Sequence, residues 1–441
     1  MTLRRAIDIA IVLVVLLFIA AAFYLWPSFA FGNRWNKPTD FVDQFVALTR
    51  QHNRLGDNEL ASSLSIELLD TYVRDLYVAA AGPENVTYTD YDPDRVRLDR
   101  GIFKPDATPT QRELARRIID GLSTGKIADE LDRIREDPRI VVHPAPGSVI
   151  FACNLPDATI RFVTSGLESS AAQSQQQGDI ASSILALQRM AGLVRAEYSV
   201  PMCLSMLVGC ANEQRLHARI ATLIESEELT DDQLAEMKAL CESIKGPDLL
   251  YVLEGERLTM LDLTRATFKD SLRTRWDARS QMKRLDEVCT DRIARATRQL
   301  ADWKNTPDGT PADHWTKRER LIYAPALAIA LSDRGPVGVV LGTQTVRDGS
   351  RAIVAIERYR REHGRVPESL AALVPKYLDA VPMDRFVSES LRYRVVSDDE
   401  YQLYSVGADA EDNAGVPAEQ PDDALSIRAP CTDFIIHPRS E

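Results

Sequence analysis

The feature that most constrains the fold of this chain is an uncharged segment near its N-terminus. Residues 9–26 contain no charged side chain and follow the basic pair Arg4 and Arg5. As a helix, the segment would be about 27 Å long, close to the roughly 30 Å hydrocarbon thickness of a bilayer. Tyr24 and Trp26 lie at its end, where aromatic rings favour the headgroup layer. The pattern predicts a transmembrane helix that crosses the lipid bilayer once.

The charges before this segment predict its orientation. Lys and Arg accumulate on the cytoplasmic side of membrane helices, so we expect a cytoplasmic stub and anchor over residues 1–29. Residues 30–441 would then lie outside the cytoplasm, in a single-pass protein of the cytoplasmic (inner) membrane with a periplasmic ectodomain. The alternative is a cleavable signal peptide, with Ala20 and Ala22 before the cut. Both interpretations predict export.

Composition excludes one class of partner. The 441 residues are enough for two or three domains, and 65 acidic against 53 basic side chains give a formal net charge of -12. A surface this negative repels phosphate backbones, so we expect no nucleic acid partner.

The cysteines leave two interpretations open. An exported chain with six cysteines is able to form disulfides, although six cysteines allow 15 pairings. Alternatively, the thiols are buried as small apolar side chains. Cys203 and Cys210 are seven residues apart on a predicted helix, about 10 Å along its axis, and are too distant to bond to each other. The cysteines are Cys153, Cys203, Cys210, Cys241, Cys289 and Cys431.

Most of the remaining chain has the apolar periodicity of amphipathic helices. We expect a mainly α fold, built as an antiparallel helical bundle or a set of α-hairpins, together with the N-terminal transmembrane helix and a small C-terminal α+β module. For the region 30–156, the sequence predicts a mixed helical structure with a small β-hairpin formed by residues 140–142 and 149–152. The helical body covers 157–345, and the sequence from Thr230 to Gln233 predicts a capping box that opens one of its helices.

The C-terminal region, residues 346–441, has a different pattern. An amphipathic helix ends at the sequence His363-Gly364-Arg-Val-Pro367, where Gly and Pro favour termination. Two segments of alternating side chains, 391–395 and 401–405, predict an antiparallel sheet that packs on this helix. The acidic loop from Gly407 to Gly415 follows.

The order of these features resembles the globular head of the type II secretion system major pseudopilin. The resemblance covers about 80 residues and implies a similar α+β fold. The whole chain also resembles a group of bacterial membrane-anchored proteins of unknown function, through the stretch Glu254-Gly-Glu-Arg257. The residues that match the pseudopilin pattern are Tyr359, Gly364, Arg365, Pro367, Leu370, Ala372, Leu373, Tyr377, Leu378, Pro382, Asp384, Tyr393, Tyr404, Ser405, Gly407 and Asp409.

The resemblance also implies a calcium site in the C-terminal loop. Pseudopilins of this type bind calcium there through carboxylates and main-chain carbonyls, and a hard cation takes six to eight oxygen ligands. The alternative is a solvated acidic loop without metal. By resemblance, the ligands would be the carboxylates of Asp409, Asp412, Asp422 and Asp423 with the carbonyls of Leu403 and Ser405.

No familiar catalytic motif occurs in the sequence, and we name no catalytic residue. Glu254 and Glu256 are the one carboxylate set worth testing, but two residues apart on a helix they point away from each other. An ion pair between Glu254 and Arg257, three residues apart, is the simpler interpretation.

These patterns favour an extracytoplasmic interaction or scaffold protein of the bacterial envelope, with protein partners there and a connection to type II secretion or pilus-like assembly. One alternative is a module of the helical body that binds peptide, glycan or lipid. Another is a hydrolase with an unfamiliar site, for which a deep pocket with convergent titratable groups would be the evidence.

Overall fold

The structure is a computed structural model that describes residues 40–54, 63–82, 85–89, 92–140, 157–226, 228–267, 272–306, 316, 334–416 and 433–437. Helices dominate these residues, and the strands are few and short. In chain order the helices are α1 (Asp40–His52), α2 (Ser63–Ala81), α3 (Pro109–Ser123), α4 (Gly125–Glu136), α5 (Asp157–Gln176), α6 (Ile180–Tyr198), α7 (Cys203–Ser226), α8 (Asp231–Ser243), α9 (Leu249–Thr267), α10 (Leu272–Ala301) and α11 (Arg334–His363).

The strands form three small antiparallel sheets. Two are pairs, β1 with β2 and β3 with β4, and the third has the order β5-β6-β7. The antiparallel sheet of three or four strands that the sequence predicts after residue 390 is therefore present, with three strands among the described residues. The strands are β1 (Tyr88–Thr89), β2 (Asp92–Val96), β3 (Met383–Asp384), β4 (Glu389–Ser390), β5 (Arg392–Val395), β6 (Tyr401–Ser405) and β7 (Phe434–His437).

The expected fold class is wrong in one respect, because it included a membrane-spanning helix. Across the described ranges, none of the helices has the length and the apolar content to cross a bilayer. Even α6, the central helix, carries Arg189, Arg195 and Glu197. The predicted span, residues 9–26, lies outside the described residues, so the descriptions "membrane" and "single-pass" have no support in the structure.

The centre of the body is α6, which packs on α4, α5 and α7. Residues 189 to 194 are all buried, so this helix is enclosed on every side rather than along one stripe. Its buried charges therefore need partners, and the guanidinium of Arg189 donates to Asp132 of α4 at 2.8 Å. The enclosed position of α6 is explained by the residues from Ile184 to Val194, which are apolar or small on all faces of the helix apart from Gln188 and Arg189.

The α8 helix begins where the sequence predicts. The hydroxyl of Thr230 accepts from the amide of Gln233 at 3.2 Å, and the Gln233 side chain accepts from the amide of Thr230 at 2.8 Å. This reciprocal pair satisfies two backbone donors that the helix leaves open. The predicted capping box is confirmed.

The C-terminal sheet shares its core with the helical body. Phe45 of α1, Phe162 of α5, Ile353 of α11 and Ile436 of β7 belong to one contiguous apolar core. Gly349 allows β7 to approach α11 closely, since a Cβ at that position would lie 2.7 Å from the Ile436 side chain. The sheet is packed on α11, as the sequence pattern predicts.

One predicted boundary differs from the structure, and one open alternative is decided by it. The C-terminal helix extends from Arg334 to His363, so it continues across the expected boundary at residue 346. A β-hairpin with an irregular register lies at 88–96, within the stretch 82–109 for which the sequence predicts a loop or an irregular hairpin. The predicted hairpin at 140–152 lies outside the described residues, except for its first residue, Ile140.

Candidate functional site

The acidic C-terminal loop lies against the outer face of the three-stranded sheet. Asp412 Oδ2 accepts from Arg392 Nε at 3.0 Å, while its Oδ1 accepts from the amide of Ala414 at 2.9 Å and from the Tyr404 hydroxyl at 3.1 Å. Burial opposes ionisation of Asp412, but these hydrogen bonds outweigh it and lower the pKa of the carboxyl. Asp412 therefore fastens the loop to β5 and β6.

Asp409 is in a different environment from Asp412. It accepts a hydrogen bond from the amide of Glu411 at 3.2 Å. Burial raises its pKa, and the negative charges of Glu411 and Asp433 add to this effect. Asp433 is 2% exposed, and its Oδ2 accepts from the amide of Gly415 at 2.7 Å. Its Oδ1 is buried without a hydrogen-bond partner among the described residues.

Sequence reasoning assigned no role to two buried carboxylates, Asp433 and Asp384. Asp384 is fully buried, and its two oxygens accept from the amides of Phe386 at 3.1 Å and Val406 at 2.9 Å. Burial raises its pKa in spite of these bonds. The signal for Asp433 in the sequence is an acidic residue directly before the apolar run Phe434-Ile-Ile436.

The described residues do not assemble the calcium ligands that the resemblance implies. Asp422 and Asp423 lie outside the described part, and Asp412 is directed at Arg392. Leu403 and Ser405 lie on β6, the central strand, between β5 and β7. Within the described ranges, no group of three or more His, Cys, Asp or Glu has a metal-binding arrangement. Calcium stays a prediction, which thermal unfolding in EDTA and in calcium would test.

The stretch Glu254-Gly-Glu-Arg257 is a packing and ion-pair element. Glu254 pairs with Arg257 at 2.7 Å, so the simpler of the two interpretations is confirmed. Glu256 points elsewhere, to Arg292 of α10 at 3.0 Å. Gly255 lets α9 approach the residues before α7, because a Cβ there would lie 2.2 Å from the Pro201 carbonyl oxygen. The two glutamates therefore do not form an acid/base pair.

A fully buried ionic cluster joins α11 to the helical body. Glu213 of α7 accepts from Arg347 Nε at 2.6 Å and from Nη2 at 2.9 Å, with exposed side-chain fractions of 0% and 6%. The Tyr198 hydroxyl also donates to Glu213 at 2.6 Å, and His217 Nε2 is 3.3 Å away. Burial opposes ionisation of Glu213, but Arg347 and His217 outweigh it and lower its pKa to about 2.

This cluster was not predicted from the sequence. Glu213 and Arg347 are 134 residues apart, and neither belongs to a recognisable motif. Its enclosed position gives it a structural role, because a catalytic group needs access to a substrate. We call the pair Glu213 and Arg347 the buried ion pair.

A small polar cavity of about 220 Å³ lies between α3, α5 and α6. Pockets for drug-sized ligands are larger, about 300–1,000 Å³. Asp120 is an acid in its lining, and it accepts from Arg116 at 3.0 Å. This arrangement lacks the pair of convergent acids that a hydrolase would need. The polar lining residues include Asp120, Ser170, Gln173, Ser174, Gln177 and Ser182.

The four described cysteines are free thiols. Burial raises the pKa of Cys210, Cys241 and Cys289 to about 12. Because the thiolate is the reactive and metal-binding form, these three side chains act as small apolar residues near neutral pH. Cys153 and Cys431 lie outside the described residues.

Comparison of the chain with family models, with curated proteins and with solved structures finds no match. The comparisons therefore supply no family evidence for a pseudopilin or for type II secretion, and that assignment is not carried further.

Proposed function

We propose that this protein is an interaction or scaffold protein, in which the helical body holds the C-terminal sheet in a fixed orientation for a partner. The observation that carries the proposal is the buried ion pair. A buried guanidinium and carboxylate that satisfy each other in two hydrogen bonds resist separation, because either charge alone is strongly disfavoured in the core. An extracytoplasmic location stays a sequence-based prediction.

Two further contacts support the same proposal. The indole nitrogen of Trp303, just after α10, donates to the Ala408 carbonyl at 2.9 Å and so fixes the loop after β6. Arg385 Nε, in the turn between β3 and β4, donates to Asp348 of α11 at 2.9 Å. The sheet and its loop are thus held by α10 and by α11.

The outer side of this sheet offers a contact surface. Val396 and Val416 are 59% and 64% exposed. Gln402 lies between them, accepting from Arg394 at 2.6 Å and donating to the Gly415 carbonyl at 3.3 Å. We call Arg394, Val396, Gln402 and Val416 the outer patch. Exposed apolar side chains beside polar groups are common at protein contacts, and here the neighbouring loop and turn are held by hydrogen bonds to Trp303 and Asp348.

Site-specific photocrosslinking tests this proposal. A photoreactive side chain at position 396 should give a discrete crosslinked product in cells where the protein occurs naturally. Leu204 is a matched control, because it is also an exposed aliphatic residue, at 56%, but lies on the helical body. A product from position 204 and none from position 396 would contradict the outer patch as the contact surface.

The cavity favours a second candidate function, the binding of a small neutral glycan by the helical body. Ser170, Ser174 and Gln177 line the cavity, and within the described part of the chain their side chains make no hydrogen bond. Hydroxyl and amide groups suit a sugar better than a lipid. Saturation-transfer NMR with glucose and N-acetylglucosamine tests this, with Gln177→Ala expected to weaken the signal. Gln176→Ala, one residue away and outside the lining, should leave it unchanged.

A further inference from the structure

Three arginines from separate segments converge beside α5. Arg100 begins the 3-10 turn Arg100–Phe103, which packs on α5 through Phe103 and Phe162 with ring centroids 5.2 Å apart. Arg161 lies on α5 itself. Arg215 reaches over from α7, where its Nη2 donates to the Ser165 hydroxyl at 3.2 Å, and that hydroxyl donates to the Arg161 carbonyl at 2.9 Å.

Among the described side chains near α5, the positive charges at this place exceed the negative ones. Arg215 pairs with Glu168, but within the described part of the chain neither Arg100 nor Arg161 makes an ion pair or a side-chain hydrogen bond. Asp99, the residue before Arg100, is engaged with the amide of Gly101 at 2.8 Å. In a protein with a net charge of -12, unpaired arginines that are shielded from solvent are unexpected.

The electrostatics of Arg100 show that these charges interact. Burial lowers the pKa of its guanidinium, and the positive charges of Arg161 and Arg215 lower it further. All three side chains are partly buried, so solvent screens their repulsion incompletely. A bound anion would relieve this repulsion.

We propose that Arg100, Arg161 and Arg215, together the arginine site, bind an oxyanion that carries two or more negative charges, such as a phosphate group. The planar guanidinium presents paired donors that match phosphate and carboxylate oxygens. Among the described residues, Glu168 is the one carboxylate that pairs with these three guanidinium groups, which leaves a net charge of about +2 for such a ligand to neutralise. The inference is independent of the interaction proposed for the outer patch.

Calorimetric titration of the full chain with inorganic phosphate, and separately with citrate, tests the arginine site. Thermal unfolding in phosphate, citrate and chloride of equal ionic strength gives a second readout, because a ligand that binds only the folded state raises its melting midpoint. Arg161→Gln should weaken oxyanion binding at least about tenfold, which is equivalent to about 1.4 kcal/mol of binding free energy. Arg161→Lys, which keeps the charge, should weaken it less.

The matched control is Arg112→Gln, which removes an exposed arginine on α3 and should leave oxyanion binding unchanged. In chloride alone, Arg161→Gln should not lower the melting midpoint, because it removes a repulsion. An equal phosphate and citrate response in the wild type and in Arg161→Gln would reveal a general salt effect and overturn the site. A destabilised Arg161→Gln in chloride would overturn it too, by giving Arg161 a structural role.

Discussion

The buried ion pair makes the strongest prediction for stability. Glu213→Gln keeps the shape of the side chain but removes its negative charge, so the Arg347 guanidinium stays in the core without compensation. Both hydrogen bonds from Arg347, at 2.6 and 2.9 Å, then lose their charged acceptor. We expect a large loss in the free energy of unfolding.

The magnitude follows from the burial of both partners. Removing one member of a buried pair costs about 3–5 kcal/mol, because the desolvation of the remaining charge is no longer offset. The free energy of unfolding of a typical protein is only about 5–15 kcal/mol. Glu213→Gln should therefore remove a large fraction of the total. Replacing both partners, as in Glu213→Met with Arg347→Leu, should cost less than Glu213→Gln alone.

Urea unfolding of the full chain, followed by circular dichroism, measures this effect. The matched control is Glu113→Gln, the same substitution in a half-exposed pair with Arg116 on α3, which should give no measurable change. A loss below about 1 kcal/mol for Glu213→Gln, the range of surface pairs, would refute the reasoning.

The same variant also changes the pH dependence of stability. The pKa of Glu213 is lowered from an ordinary value of 4.5 to about 2 in the folded protein. A lowered folded-state pKa means that the contribution of the ion pair is present above pH 4.5 and lost as the pH falls toward 2. As the pH falls from 6 to 3, the weaker proton binding of Glu213 in the folded state should lower the free energy of unfolding of the wild type by about 2 kcal/mol. The difference between the wild type and Glu213→Gln should shrink by that amount, and a constant difference would contradict this assignment.

Two further predictions concern packing and capping. Gly255→Ala places a Cβ against the Pro201 carbonyl and should lower the free energy of unfolding in urea by about 1–3 kcal/mol. Gly335→Ala is the control, because Gly335 has open space around it and the substitution should cause no loss. Similar results for both variants would disprove the close approach. Thr230→Ala should cost about 1 kcal/mol by removing a cap. Thr124→Ala should cost less, since the Thr124 side chain makes no N-cap bond to α4 and only donates to the Asp120 carbonyl at 3.1 Å. An equal loss would show that the N-cap bond is not the cause.

Local chemistry explains which parts of the fold are predictable from the sequence. The α8 capping box and the ion pair between Glu254 and Arg257 each join residues three apart, so spacing alone places the partners together. The strands 392–395 and 401–405 follow from alternating side chains. Each of these predictions depends only on neighbours in the chain.

Other elements form against their local preference. The strand Asp92–Val96 contains two aspartates and a proline, which disfavour strands, and it exists through pairing with β1. The start of α11 at Arg334 lies well before the first residue that sequence patterning assigns to this helix. Propensities of a few tenths of a kcal/mol per residue are readily outweighed by tertiary contacts.

The sequence by itself determined the helical character of the body, the positions of several helix ends and the alternating strands near the C-terminus. Only the tertiary structure decided that Glu213 meets Arg347 and that Asp433 lies beside Asp409. It also brought Arg100 near Arg161, with no acidic partner for either among the described residues. Those encounters join residues 24 to 134 positions apart. No periodicity specifies such contacts, because they depend on how the whole chain encloses the central helix α6.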